Sequence, residues 1–359
     1  MRKEDMISII VYLILIAGSF ILGTTVINDA FQTFTVSSPY LVGIGAILFG
    51  VLINVCGLEF LHALGGKIGG YEVVSINILF FCFEKLNKKW SFKFKDFDGL
   101  TGETKVAPKK AKTNLKWFMW MPLIGYLIEI AICFALNTII SETPELYNLG
   151  WLAISSLLWI VISSVIALYN IIPFKLDSMT DGYRLVLISK KVNSEAFDEL
   201  MRVENLQRNG EKVCKIKVFD EITEFTASVN LLSVYEYLNE KKYAEANKII
   251  ETMLASGNEL ETYTRNRLMA QKVYIQIMED EIEEAKKFYN EQVKDDIRRF
   301  IANDDSMESL RAYALIAAFL EDSESEVEYT KSRLAKILKK TLPSRAEIEQ
   351  KLYKEALDK

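Results

Sequence analysis

The sequence predicts a mostly α, polytopic membrane protein with a soluble helical C-terminal region. Three observations carry that prediction. Half of the 359 residues are hydrophobic and mean hydropathy is positive, which is too apolar for an ordinary soluble enzyme of this length. Four apolar runs approach the roughly 20 residues that cross a hydrocarbon core. Charged residues are sparse through most of the first half and dense after about residue 185, so a membrane part precedes a soluble one.

The first run, Met6–Ile27, follows the charged start Met1-Arg2-Lys3-Glu4-Asp5. It shows no A-x-A-like cleavage site and reads as an uncleaved anchor rather than a signal peptide. The others are Tyr40–Leu64, Trp117–Ile140 and Leu149–Phe174. With four spans both termini share a side. The connection 85–116 carries Lys85, Lys88, Lys89, Lys93, Lys95, Lys105, Lys109, Lys110, Lys112 and Lys116, whereas the segments 28–39 and 141–148 carry only acidic charges. Lysine-rich loops stay inside, so the N- and C-termini are expected in the cytoplasm of an integral, multi-pass plasma (cell) membrane protein. Trp117, Trp120 and Trp151 lie near span ends, as interfacial anchors do.

Between the second and third runs, Tyr71–Phe83 is rich in β-branched and aromatic residues, and Trp90–Phe97 alternates in polarity. Both predict strands of a small sheet at the cytoplasmic membrane surface. Val106–Asn114, with Pro108 and lysines at 109, 110 and 112, reads as a flexible linker whose charges could rest on the head groups of the lipid bilayer. Beyond residue 188 the composition is soluble and helical. Tyr235–Ile250, Tyr274–Tyr289 and a weaker Ile316–Leu334 resemble one another at a spacing of about 40 residues, which is the range of helical-hairpin repeats. A tetratricopeptide-like array is expected, although the tryptophan, glycine and proline positions of that consensus are absent. A non-repeating bundle is the alternative. Stacked helix pairs commonly present a concave surface to a protein partner. The chain thus divides into an N-terminal span and external loop (1–39), a membrane core (40–188) and a cytoplasmic helical domain (189–359).

Cys56, Cys82, Cys133 and Cys214 show no C-x-x-C spacing and read as buried thiols. With a net charge of −5 and no basic stripe interleaved with aromatics, nucleic acid is excluded as a partner.

The chemistry concentrates in Asn54–Leu64, N-V-C-G-L-E-F-L-H-A-L, which contains the only histidine. On a helix, residues four apart share a face, so H-E-x-x-H presents two imidazoles to one zinc ion, with the glutamate beside the metal-bound water. Here the order is Leu58-Glu59-x-x-His62. A second cluster, Asn170-Ile-Ile-Pro173 followed by Thr180-Asp181-Gly182, breaks the last span and presents a carboxylate near its cytoplasmic end, at the depth of Glu59 and His62. A charged side chain inside a span is costly and usually functional.

These two clusters, in spans of the right order and orientation, resemble the site-2 protease family of intramembrane zinc metalloproteases over residues 40–188. His62-Ala-Leu-Gly-Gly-Lys-Ile-Gly-Gly-Tyr71 resembles the family's stretch after the motif, and Gly125-Tyr-Leu-Ile-Glu129 stands in the place of its G-P-x-x-N. The resemblance implies a three-span core in which His62 is the second histidine ligand, Glu59 the general base, Asp181 the carboxylate ligand, and Asn170, Pro173 and Gly182 the loop that positions it. Leu58 departs from the first ligand, Tyr126 from the proline and Glu129 from the asparagine. Two of three ligands remain, and Glu129 is a possible additional one for a harder cation. Asn54, near the Leu58 face, is a poor zinc ligand. Two readings follow: a pseudoprotease without metal that binds a transmembrane helix or hydrophobic peptide, and an active protease using zinc. A membrane scaffold acting through its helical repeats is a third.

Overall fold

The computed structural model describes residues 36–94, 102–110, 112–173, 179–213, 215–256, 260–293 and 295–359, with scattered positions before 36. It is mostly helical with one small antiparallel sheet. Two compact units divide it: Met1–Glu84 with Trp90–Ser194, and Lys85–Lys89 with Glu195–Lys359. The boundary falls close to where charge density rises along the sequence.

The first unit is built on α1 (Pro39–Ile68), α2 (Lys116–Glu142) and α3 (Gly150–Ile171), which all pack on one another. They are the helices among the described residues long and apolar enough to cross a membrane, α3 together with the short 3₁₀ turn Pro144–Leu149 that precedes it. At 1.5 Å rise per residue each exceeds the roughly 30 Å hydrocarbon core. Their polarity is inverted relative to a soluble bundle. Leu41, Leu48 and Phe134 are about two-thirds exposed, while Asn54, Glu59 and His62 are buried. A solvent of lipid selects that arrangement, because polar groups find partners only inside. The expected first span, 6–27, lies largely outside the described residues. Cys82 and Cys133 are buried and Cys56 is half-buried; Cys214 is outside the described residues.

Glycines set the closest approach in this unit. A methyl group on Gly65 would strike the Trp117 carbonyl oxygen and one on Gly69 the Asn114 carbonyl, so the end of α1 lies backbone to backbone against the start of α2. The sheet follows at once: β1 (Tyr71–Ile78), β2 (Phe81–Leu86), β3 (Lys89–Phe94) and β4 (Gly102–Pro108), in the order β3-β2-β1-β4. β1 pairs antiparallel with β2, Ser75 opposite Glu84, and with β4, Val73 opposite Val106. Two expectations are corrected. Tyr71–Phe83 is two strands, since Leu79 turns the chain with φ of 55° inside an otherwise continuous apolar run. Residues 106–108 belong to β4 rather than to a linker. Val106 and Ala107 are buried, and Val106 packs where a Cβ on Gly66 would sit.

The short α4 (Asp181–Leu187) and α5 (Lys191–Arg208) lead into the second unit. There α6 (Glu224–Asn239) packs on α7 (Tyr243–Ala255), α8 (Thr262–Met278) on α9 (Ile282–Gln292), and α11 (Met307–Leu315) on α12 (Glu324–Lys340). The further helices are α10 (Asp295–Asn303) and α13 (Pro343–Leu357). Each of the three pairs turns on a left-handed residue: Lys241, Asp280 and Asp322. In the first two turns the bonds match. Lys242 N–H donates to the Tyr237 carbonyl and Lys241 N–H to Leu238, as Glu281 N–H does to Gln276 and Asp280 N–H to Ile277, which is the Schellman pattern of a helix C-terminus. The third is wider. A π-helical turn, Ile316–Leu320, inserts there, and Ser323 N–H reaches back to Ala317. A continuous core from Ala227 and Leu238 through Ile250, Leu268 and Ile277 to Leu315 unites the array.

Candidate membrane site around the His62–Asp181 pair

Helical spacing places Glu59 and His62 on one face of α1, one turn apart, and that face is turned inward: Glu59 is 2% exposed and His62 7%. Asp181 arrives from 119 residues further along. It occupies the first turn of α4, whose N-cap Thr180 accepts a bond from the Tyr183 amide and donates its hydroxyl to the Ile172 carbonyl. That cap stops the chain just past α3 and turns it back. Gly182 makes the turn possible, because any side chain there would overlap the Ile171 carbonyl.

The result is a direct contact. His62 Nε2 stands 2.9 Å from Asp181 Oδ2, and its Nδ1 lies 3.6 Å from Glu59 Oε2. With a carboxylate on that side, the Nε2–H is the donor. The ring is stacked on Phe118 of α2 at 4.7 Å between centroids. Glu59 is held in turn by β4. The Thr104 hydroxyl is 2.6 Å from Oε2 and 3.0 Å from the Glu59 backbone carbonyl. Gly102 clears the space, since a Cβ there would approach Glu59 Cγ to 2.5 Å.

The remaining sequence-derived positions distribute around this pair. Leu58 and Asn170 line a cavity of about 730 Å³ between α1 and α3, with Val55, Leu158 and Ile162 among its apolar walls and Phe20 at one side. Pro173 is exposed just beyond α3. Glu129 belongs to a separate polar cluster. Its Oε1 accepts a 3.3 Å bond from Asn54 Nδ2, two helical turns from His62.

A catalytic zinc ion takes three protein ligands and a water. His62 and Asp181 offer two donors and already satisfy one another, while Leu58 contributes an isobutyl group to the cavity wall. Among the described residues no group of three or more His, Cys, Asp or Glu side chains is arranged to hold a metal. His62 and Asp181 are two of the three protein ligands that a catalytic zinc takes. What the arrangement does provide is a buried acid–imidazole–acid set, hydrogen-bonded on its Asp181 side, beside an apolar cavity.

Thr104 and Phe118 are the site residues that sequence reasoning missed. Thr104 lies in the lysine-rich connection, where no periodicity points inward. Phe118 is one of several aromatics at the start of α2.

Comparison with protein-family models, with curated proteins and with solved structures gave no match.

Proposed function

We propose that this chain is a site-2-protease-like protein of the cell membrane that has become a pseudoprotease. In this reading it holds a hydrophobic peptide or transmembrane helix in the cavity beside Leu58 and does not cut it. The observation that carries the reading is the position of Leu58. It lines an apolar cavity of about 730 Å³ one helical turn from the His62–Asp181 contact, where a protease of this type would place a metal ligand. Glu59, the base of such an enzyme, is taken up by Thr104 and His62. Four spans, with both termini in the cytoplasm, place the pair near the cytoplasmic face. The helical unit, with two matching turns at Lys241 and Asp280 and a wider one at Asp322, is a tetratricopeptide-like module that couples the membrane core to a protein partner.

The test is metal content. Full-length protein purified in detergent under zinc-replete conditions is expected to carry no stoichiometric zinc. Leu58→His, which restores the third ligand, is expected to acquire about one ion per chain. An unsubstituted protein with one zinc per chain, lost in His62→Ala and Asp181→Ala, would instead identify an active metalloprotease with Glu59 as its base.

A further inference from the structure

The polar cluster in the middle of the spans has no part in the acid–imidazole–acid set. Asn54 and Glu129 stand at the midpoints of α1 and α2, the depth at which a polar or ionisable side chain is most costly in a bilayer. The Asn54 amide is oriented by its neighbours. Nδ2 donates to the Gly50 carbonyl at 2.9 Å and to Glu129 Oε1 at 3.3 Å. Two acceptors on one side fix the nitrogen there, and the oxygen faces the other way. That Oδ1 is buried with no hydrogen-bond partner among the described residues, on a side chain that is 1% exposed and lines the cavity. Tyr126, also on the cavity wall, directs its hydroxyl to the Asn54 backbone carbonyl at 3.4 Å. Ser163, buried on α3, stands beside the Glu129 carboxyl.

One wall of the otherwise apolar cavity thus carries the Asn54 carbonyl and the Tyr126 oxygen, and the Glu129 carboxyl stands behind the Asn54 amide. A buried acceptor left unmade costs free energy, and this cost is recovered only by an occupant that brings donors. A lysine ammonium brings three donors and a positive charge, and has no acceptor of its own. We infer that the cavity selects an apolar segment carrying a lysine in the middle of its hydrophobic run, with the ammonium received by Asn54 Oδ1 and its charge balanced across that amide by Glu129. The inference rests on the peptide-binding reading above and adds the feature by which the occupant is chosen. A purely apolar segment would fill the walls and leave the Asn54 oxygen bare, so the difference between the two occupants is the selectivity.

The experiment uses full-length protein in phosphatidylcholine nanodiscs, which carry no net lipid charge to attract a cation. Two fluorescent leucine-rich peptides about 20 residues long are compared by anisotropy, one with a central lysine and one with norleucine at that position. The lysine peptide is expected to bind at least about tenfold more tightly, the scale of one charge-assisted hydrogen bond. The preference should disappear in Glu129→Gln and in Asn54→Leu. Val161→Trp, which fills the cavity, should abolish binding of both. Equal binding of the two peptides to the unsubstituted protein overturns the inference while leaving peptide binding intact. Binding of neither overturns the peptide-binding reading itself. A lysine preference that survives Glu129→Gln, or binding that survives Val161→Trp, places recognition elsewhere and also overturns it. Should a variant fail to fold, the lysine–norleucine comparison on the unsubstituted protein decides alone.

Discussion

Both units bury ionisable side chains, and they handle them in opposite ways. In the helical unit the buried Arg311, Glu349, Asp304 and Glu308 are each met by an opposite charge. Arg311, fully buried, faces Glu349 at 3.4 Å, donates to the Gln271 amide oxygen at 3.0 Å and lies over the Tyr274 ring at 4.2 Å. Arg267 holds Asp304 through two bonds of 2.9 and 3.0 Å, and Arg345 pairs with Glu308. These contacts join helices distant in sequence and fix how the hairpins stack. In the membrane unit the polar groups are fewer, and the set is unbalanced. One imidazole serves two carboxylates, and an amide oxygen is left without a partner. Groups of the first kind specify a fold. Those of the second kind are held in lipid at a cost.

That contrast can be broken by substitution, and the largest effect is expected in the helical unit. Arg311→Met strands Glu349 in the core and should cost about 3–5 kcal/mol, while Arg311→Met combined with Glu349→Leu should recover most of it, because a well-packed apolar pair often matches a buried ion pair. Hydrogen exchange over α8, α11 and α13 would report both. If the single and double variants are equally unstable, the pair is not what holds these helices.

A smaller loss is expected at the membrane site. His62→Leu removes the donor shared by Asp181 and Glu59 and should lower stability by about 1–3 kcal/mol, read as the thermal midpoint of detergent-solubilised protein. No change would mean that the carboxylates are satisfied without the imidazole.

The smallest effect is a pH dependence. Burial raises the Asp304 carboxyl, but the Arg267 guanidinium and the Ser309 and Ser306 hydroxyls outweigh it, leaving it below the ordinary carboxylate range. A depressed folded-state value means that the unfolded chain binds the proton first. The stabilisation is therefore complete above the unfolded-state value near pH 4 and is lost as pH falls through the folded one. Asp304→Asn should flatten the acid limb of a stability–pH curve for the helical unit and leave the membrane unit's curve unaltered. An unchanged limb would remove Arg267–Asp304 from the list of stabilising pairs.

Much of this architecture is legible in the sequence, for identifiable reasons. Span positions follow from apolar run length, so α1, α2 and α3 begin and end within a few residues of the expected runs. Glu59 and His62 are readable because helical spacing is local. The contact with Asp181 is not, since nothing local links residues 119 apart, and only the resemblance of the two clusters brought them together. β4 is hidden by Pro108 and the lysines just after it, which look like linker residues although Val106 and Ala107 are buried. The turn at Leu79 was hidden because apolar residues continue on both sides of it. Glu129 was readable as an anomaly in a span, but its partner Asn54 depends on how α1 and α2 cross.

The glycine contacts between those two helices have a kinetic side as well. Gly65 and Gly69 bring α1 so close to the start of α2 that Phe118 lies flat on the His62 ring, and the imidazole and Asp181 are each less than a tenth exposed. Water therefore reaches the Nε2 proton only when the helices part, and the rate at which that proton exchanges with solvent measures the opening of the core rather than the chemistry of the pair.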